Sequence, residues 1–148
     1  EGSAGSYDGG RRMTNDLSAE LKALLEKADI RDMIVEPLED GEWCSITTPS
    51  IDVCGDNVVI YARRMGGMIE LSDFGVTYFN IDDEYKYIIE MERKIWHLIG
   101  KCADIHTIVA AQTKAFYYAF THMYWAVESI NNIVAFLEEE EEDFKRDE

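Results

Sequence analysis

The fold is decided by residues 42–75, which read EWCSITTPSIDVCGDNVVIYARRMGGMIELSDFG. Runs of β-branched and aromatic residues alternate there with glycine-rich turn signals, a pattern typical of short antiparallel strands joined by tight turns. The runs are 42–47, 58–61 and 68–71, and the turns between them are 55–57 and 66–67. Thr48-Pro49 is expected to end the first strand, because proline cannot donate to a strand ladder. The stretch predicts a meander of three or four antiparallel strands that ends at 72–75.

Helical patterns flank the meander on both sides. Before it, one helical stripe is apolar: Leu17, Leu21, Leu24, Leu25 and Ala28. After it, a helix is expected within 85–102, while the apolar run 105–110 fits either a further strand or a linker. A closing helix carries an unbroken heptad seam: Phe116, Phe120, Met123, Val127, Ile130, Val134 and Leu137. We therefore expect the α+β class, with an N-terminal helix, the meander, and two C-terminal helices packed on the sheet.

Composition divides the chain into three parts. Residues 1–12 are small, polar and glycine-rich, and are interpreted as an appended expression linker. Residues 13–137 are long enough for one domain with its own core, and 138–148 are expected to form a mobile acidic tail. Three cysteines without a CxxC pair favour a reducing compartment, so we expect a cytoplasmic protein.

The charge is strongly negative and unevenly distributed. The chain has 30 acidic and 14 basic residues, a net charge of −16. Residues 13–84 carry 16 acids and 5 bases, 85–137 carry 4 acids and 5 bases, and 138–148 carry 8 acids and 2 bases. A field of this sign repels nucleic-acid phosphates and anionic membranes, and it attracts basic protein surfaces. Direct binding to DNA, RNA or a membrane is therefore not expected.

No complete catalytic motif is present. Asp73-Phe74-Gly75 spells the magnesium-binding tripeptide of protein kinases, but the other kinase motifs are missing. Asp52, Glu70 and Asp73 lie near the meander, where metal-dependent nucleases often place carboxylates, although Ser72 stands where such sites need a lysine. A metal-dependent hydrolase using this trio remains an alternative. Four other residues of metal-binding type match no zinc spacing, so no metal or cofactor is expected: His97, Cys102, His106 and His122.

Three segments carry a family resemblance: 46–52, 56–61 and 71–75. Together they resemble a bacterial and phage family known as a domain of unknown function, family 1828. Members look like a TPF-hydrophobic-D segment, a G-D turn, an IxIYV strand, a glycine turn and an L-T/S-D-D-G segment. Here Ser50 replaces the usual aromatic residue and Phe74 replaces the second acid. The resemblance implies an α+β fold encoded on bacterial chromosomes, prophages or mobile elements, and it implies no established activity.

The leading hypothesis is a non-enzymatic, acidic protein-binding domain. It would inhibit or regulate a nucleic-acid-handling host protein, such as a defence nuclease complex, in the manner of an anti-CRISPR protein that mimics DNA. The candidate contacts are Glu36, Glu39, Asp40, Glu42, Asp52, Asp56, Asp82, Asp83 and Glu84.

A structural homodimer through the closing helix is a further alternative. Its candidate contacts are the seam residues Phe116, Phe120, Met123, Val127 and Ile130. Packing of that seam in the chain's own core is the simpler interpretation. The flanking aromatic residues Tyr117, Tyr118, Tyr124 and Trp125 leave room for a homodimer or a partner groove.

Overall fold

A computed structural model describes residues 16–85 and 104–147 and confirms the α+β class. The elements are α1 (16–27), β1 (Ile34–Pro37), β2 (Trp43–Ile51), β3 (Asn57–Met65), β4 (Met68–Ser72), α2 (Val76–Phe79), β5 (His106–Ala110) and α3 (Thr113–Asp147). The strands form one five-stranded sheet in chain order, and each neighbouring pair is antiparallel. The predicted meander is therefore correct and contains more strands than expected.

The core lies between the sheet and the two long helices. Alternate residues of the strands point inwards, for example Ile46 and Ile60, which are paired across β2 and β3 and fully buried. They join the leucine stripe of α1 and the heptad seam of α3 in one apolar cluster. The seam residues Phe116, Phe120, Met123, Val127 and Ile130 are at most 2% exposed, so the predicted packing of this seam in the chain's own core is confirmed.

Strand β2 continues past the predicted break at Thr48-Pro49. The edge strand β1 pairs only with the segment of β2 that ends at Thr47, so β2 has a single neighbour beyond that point. The missing N–H of Pro49 therefore removes no bond to β1, and the pairing with β3 shifts register between Thr47 and Ile51. The expectation that Pro49 ends the strand is wrong.

Two more strands were not assigned by the sequence pattern. Residues 34–37 form β1; Pro37 is the last residue of this edge strand, where a missing donor is tolerated. Residues 106–110 form β5, which settles the choice between strand and linker. Its residues pair with β4 from Met68 to Ser72.

Helix α3 extends ten residues beyond the predicted seam, from Thr113 to Asp147. Its last turn carries Lys145 and Arg146, which form ion pairs with Glu141 at 3.2 Å and Asp143 at 2.8 Å. Cations at a helix C-terminus are favourable and offset part of the repulsion within the acidic run. The acidic segment is thus helical through Asp147, and its mobility stays a prediction. The second predicted helix, 85–102, lies outside the described residues apart from Tyr85.

Within 16–85 and 104–147, no helix combines the length and the apolar composition that a membrane crossing needs.

Candidate functional site

The nine candidate acids lie at two opposite ends of the sheet. Strand β2 connects these ends, and a nine-residue strand spans about 30 Å. The turn between β1 and β2 and its flanking strands carry one group: Glu36, Glu39, Asp40 and Glu42. The turn between β2 and β3, together with the residues after α2, carries the other: Asp52, Asp56, Asp82, Asp83 and Glu84. The nine residues therefore do not form one contact surface.

At the first end, two of the acids stabilise local structure. The Asp40 carboxylate accepts hydrogen bonds from the backbone N–H groups of Trp43 at 3.0 Å and Glu42 at 2.8 Å. Both hydrogen bonds lower the pKa of Asp40, and the bond from Trp43 makes the larger contribution. Glu42 forms an ion pair with Arg63 at 3.0 Å. The negative field at this end is thus partly compensated.

At the second end, Asp52 organises the turn between β2 and β3. Its Oδ1 accepts hydrogen bonds from the backbone N–H groups of Cys54 at 2.9 Å and Asp56 at 3.0 Å. Gly55 has a φ of 85°, a conformation that residues with a side chain rarely adopt. Asn80, just after α2, donates to Oδ2 of Asp52 at 3.5 Å. The turn therefore presents Asp52 and Asp56 beside the residues that lead into the acidic stretch 82–84.

The acidic part of α3 reaches the same end of the sheet. Tyr85, directly after the acidic stretch, donates a hydrogen bond from its hydroxyl to Glu141 of α3. The exposed thiol of Cys54 has a raised pKa. Desolvation is the largest cause, and the smaller contributions come from the negative charges of four acids: Asp52, Asp56, Asp82 and Glu138. Acids from three distant parts of the sequence thus converge. We call this surface the acidic end; it comprises Asp52, Asp56, Asp82, Asp83, Glu84 and the run 138–143.

A polar cavity of about 270 Å³ opens beside Asp52. Its lining includes polar residues, among them Asp52, Asp56, Asn80 and Asn131, together with Tyr61 and four valines. Asn131 is buried at 8% exposure, and its side chain accepts from the Val53 N–H at 3.2 Å and donates to the Val127 carbonyl at 3.0 Å. The bond from Val53 ties the turn between β2 and β3 to α3, and the bond to Val127 fixes the Asn131 side chain within the helix.

Asp73 also lines this cavity, but its carboxylate is occupied by backbone donors. It is 2% exposed and accepts from the N–H groups of Gly75 at 2.8 Å, Thr77 at 3.2 Å and Ile105 at 2.8 Å. Two of these donors belong to the turn into α2, and the third precedes β5. Asp73 therefore joins the end of β4 to the start of β5.

Glu70 lies on the other face of the sheet, away from Asp52 and Asp73. It accepts from Nε of Arg63 at 2.8 Å and contacts Nε2 of His106 at 2.6 Å. The hydrolase trio is therefore not assembled, and that residue assignment is wrong. Within the described parts of the chain, no group of three or more His, Cys, Asp and Glu residues could hold a metal ion.

The sequence interpretation missed an aromatic cluster on this outer face. Phe74 contacts both Tyr61 and Trp43, and the guanidinium of Arg63 lies 4.8 Å from the Trp43 ring centre. Strand alternation could have placed Trp43 and Tyr61 on one face, because both stand opposite to their buried neighbours. The position of Phe74 depends on the turn conformation, which the sequence pattern did not reveal.

Comparison with protein-family models, with curated proteins and with solved structures gives no match to this chain. The resemblance to family 1828 therefore stays a prediction.

Proposed function

We propose that this chain is a non-enzymatic binding protein whose acidic end docks on a basic surface of a nucleic-acid-handling protein. The proposal rests on one observation above all: acids that are far apart in sequence converge at one end of the sheet. There Tyr85 donates a hydrogen bond to Glu141 of α3, and desolvation, followed by the charges of these acids, raises the pKa of Cys54. A concentrated field of one sign attracts a basic surface and speeds its encounter with the chain. The expected partner is a protein that normally binds DNA or RNA.

The charge density of α3 supports mimicry of a nucleic acid. Residues 138–143 are six consecutive acids on one helix. An α-helix rises about 1.5 Å per residue, and duplex DNA carries one negative charge per about 1.7 Å of its axis. The run therefore presents negative charge at nearly the linear density of a DNA duplex. A protein groove that neutralises phosphates with lysine and arginine would gain similar attraction from this segment.

The engaged carboxylates near the meander also favour binding over catalysis. Asp73 accepts three backbone hydrogen bonds, and Glu70 is paired with Arg63 and His106. The acids of the acidic end, in contrast, are mostly exposed; Asp56, Asp82 and Glu138 all face solvent. We place the protein in the cytoplasm of a bacterial host and infer a phage or mobile-element origin, as an inhibitor or regulator of a defence nuclease complex.

The decisive experiment compares two double variants that remove equal charge from opposite ends. Glu139→Gln/Glu140→Gln alters the acidic end, and Glu36→Gln/Glu39→Gln alters the other end; all four side chains are exposed. Immobilised wild-type protein and both variants would be used to capture proteins from bacterial lysate at low and moderate salt. We expect a salt-sensitive nucleic-acid-binding protein that the wild type and the second variant retain and that the first variant loses.

Competition with duplex DNA then tests the mimicry itself. A partner that binds the acidic end through its nucleic-acid groove should be released by DNA, and its affinity for the chain should fall with increasing salt. Equal capture by both double variants, or a complex that DNA leaves intact, would contradict the proposal.

A further inference from the structure

The solvent-facing side of α3 carries an aromatic stripe that the core does not use. Opposite the buried seam, Tyr118 is 60% exposed and Trp125 is 58% exposed. Tyr117 contacts Tyr118, with ring centres 5.4 Å apart, and His122 stacks on Trp125 at 6.0 Å. Exposed aromatic clusters of this kind are typical of protein interfaces. We call the positions Lys114, Tyr117, Tyr118, Thr121, Trp125 and Glu128 the α3 stripe; Glu128, at its edge, is half-buried and also accepts a hydrogen bond from Ser50 of its own chain.

The stripe differs from the rest of the chain in its charge. Between Thr113 and Leu137, Lys114 and Glu128 are the only residues of the Lys, Arg, Asp and Glu types, in a chain whose net charge is −16 with histidine neutral. A basic partner gains no net attraction at a face with one cation and one anion. A second copy of the chain, repelled by the acidic surfaces, can approach this neutral face without that penalty.

The spacing of the two charges also fits a symmetric pair. Lys114, Thr121 and Glu128 follow one another at intervals of seven residues, which places them on the same side of the helix. In an antiparallel pair of α3 helices centred on Thr121, Lys114 of one copy lies level with Glu128 of the other. The same arrangement sets Tyr117 level with Trp125. A two-fold axis then produces each of these contacts twice.

The antiparallel direction also separates the acidic runs. Glu138 lies roughly 25 Å along the helix from Thr121, at about 1.5 Å per residue. The acidic runs of the two copies therefore begin about 50 Å apart, many times the screening length of about 8 Å at physiological salt. A parallel pair would bring the runs side by side, so the charge distribution selects the antiparallel form.

A small apolar cleft beside the stripe offers a place for a side chain of the second copy. It has a volume of about 160 Å³ and lies between α3 and the segment that connects α1 to β1. Its lining includes Ile30, Met33, Phe120, Tyr124 and Trp125.

We propose that two copies of this chain form an antiparallel homodimer through the α3 stripe. This interface differs from the seam considered in the sequence analysis, which is buried within each chain. The dimer leaves both acidic ends exposed and pointing in opposite directions, so that one dimer can engage two basic partner surfaces. The pairing is independent of the proposed binding function, because it needs no other protein.

Sedimentation equilibrium over a range of protein concentrations tests the dimer directly. The wild type should approach twice the 17.0 kDa mass of the chain, and Trp125→Glu should remain at 17.0 kDa. Phe79→Glu is the matched control, because Phe79 is an exposed aromatic residue, at 81%, away from the stripe. A wild type that stays monomeric up to millimolar concentration, or a dimer that Trp125→Glu leaves intact, overturns the proposal.

Charge exchange and cross-linking test the antiparallel register. Lys114→Glu should weaken the dimer on the order of tenfold, since two attractive pairs become repulsive. The double variant Lys114→Glu/Glu128→Lys should restore it. In a Cys54→Ser/Cys102→Ser background, Thr121→Cys places a thiol next to the two-fold axis and should give a disulfide-linked dimer, whereas the exposed Asn132→Cys should not. Efficient cross-linking at 132 instead of 121 would overturn the register.

Discussion

Phe74 stacks on Tyr61, with ring centres 4.1 Å apart and ring planes inclined by 13°. The same ring meets Trp43 edge-on at 4.7 Å. This placement requires a backbone φ of 57° at Phe74, in the left-handed region that residues other than glycine seldom occupy. The hydroxyl of Ser72 accepts a hydrogen bond from the Phe74 N–H at 3.0 Å and supports the turn. The turn after β4 therefore folds an aromatic ring back over the outer face of β2 and β3.

At position 74, a glycine variant should be more stable than an alanine variant, the reverse of the order usual inside helices and strands. Phe74→Ala removes both ring contacts and should lower the free energy of unfolding by about 2 kcal/mol. Phe74→Gly loses the same contacts but relieves the backbone strain, so it should be about 1 kcal/mol more stable than Phe74→Ala. Urea denaturation of the two variants measures this difference. A glycine variant that is less stable than the alanine variant would contradict the positive φ.

Asp73 should matter for stability far more than its exposed neighbours. Asp73→Asn replaces one acceptor oxygen by an amide that cannot accept a hydrogen bond, so at least one buried N–H loses its partner. We expect a loss of about 2–4 kcal/mol in the free energy of unfolding. Asp56→Asn is the control, because Asp56 lines the same cavity but is exposed, and its loss should stay within about 0.5 kcal/mol. Equal effects of the two substitutions in thermal or urea unfolding would refute this role.

The sequence predicts well those features that depend on neighbouring residues. The hairpin between β3 and β4 follows from Gly66-Gly67, and the burial of the α3 seam follows from its heptad spacing. The continuation of β2 through Pro49 was not predictable in this way. It depends on where the neighbouring strand β1 ends, and only the pairing of the two strands reveals that.

The candidate site shows the same limit. The acids around the turn at Asp52 were identified individually, but the sequence could not say which of them share a surface. The length of strand β2 separates Glu36 and Glu39 from Asp52, and the length and packing of α3 bring Glu138 close enough for its charge to act on Cys54. Both depend on contacts between residues that are far apart in the chain. Net charge is a property of the sequence, whereas its convergence is a property of the fold.

The stability of the protein should depend on the ionisation of Glu70. Burial raises the pKa of Glu70, but hydrogen bonds from His106 and Arg63 outweigh burial and leave the pKa below its ordinary value of 4.5. The ionised form therefore stabilises the folded chain above pH 4.5, and this contribution is lost as the pH falls through the lowered pKa. Glu70→Gln should be less stable than the wild type at pH 7, and the difference should shrink between about pH 5 and pH 3.

Chemical denaturation at a series of pH values measures this difference. Glu36→Gln serves as the control, because Glu36 is an exposed acid on the edge strand. A gap between wild type and Glu70→Gln that stays constant down to pH 3 would show that the ion pair contributes no pH dependence.

The reactivity of Cys54 offers a direct measure of how closely the acids converge. Its pKa is raised above the ordinary 9.0 by desolvation and by the surrounding carboxylates, whereas burial raises the pKa of Cys44 to about 11 and makes it unreactive in the folded chain. In a Cys102→Ser background, the rate of alkylation by iodoacetamide as a function of pH should therefore report on Cys54.

We expect the pKa of Cys54 to fall towards 9.0 in high salt and in Glu138→Gln, since both weaken the negative field at the thiol. Glu36→Gln, which removes the same charge from the opposite end of the sheet, should leave the profile unchanged. If Glu138→Gln behaves like Glu36→Gln, then α3 does not bring its acidic run to the turn between β2 and β3, and the acidic end loses six of its eleven carboxylates.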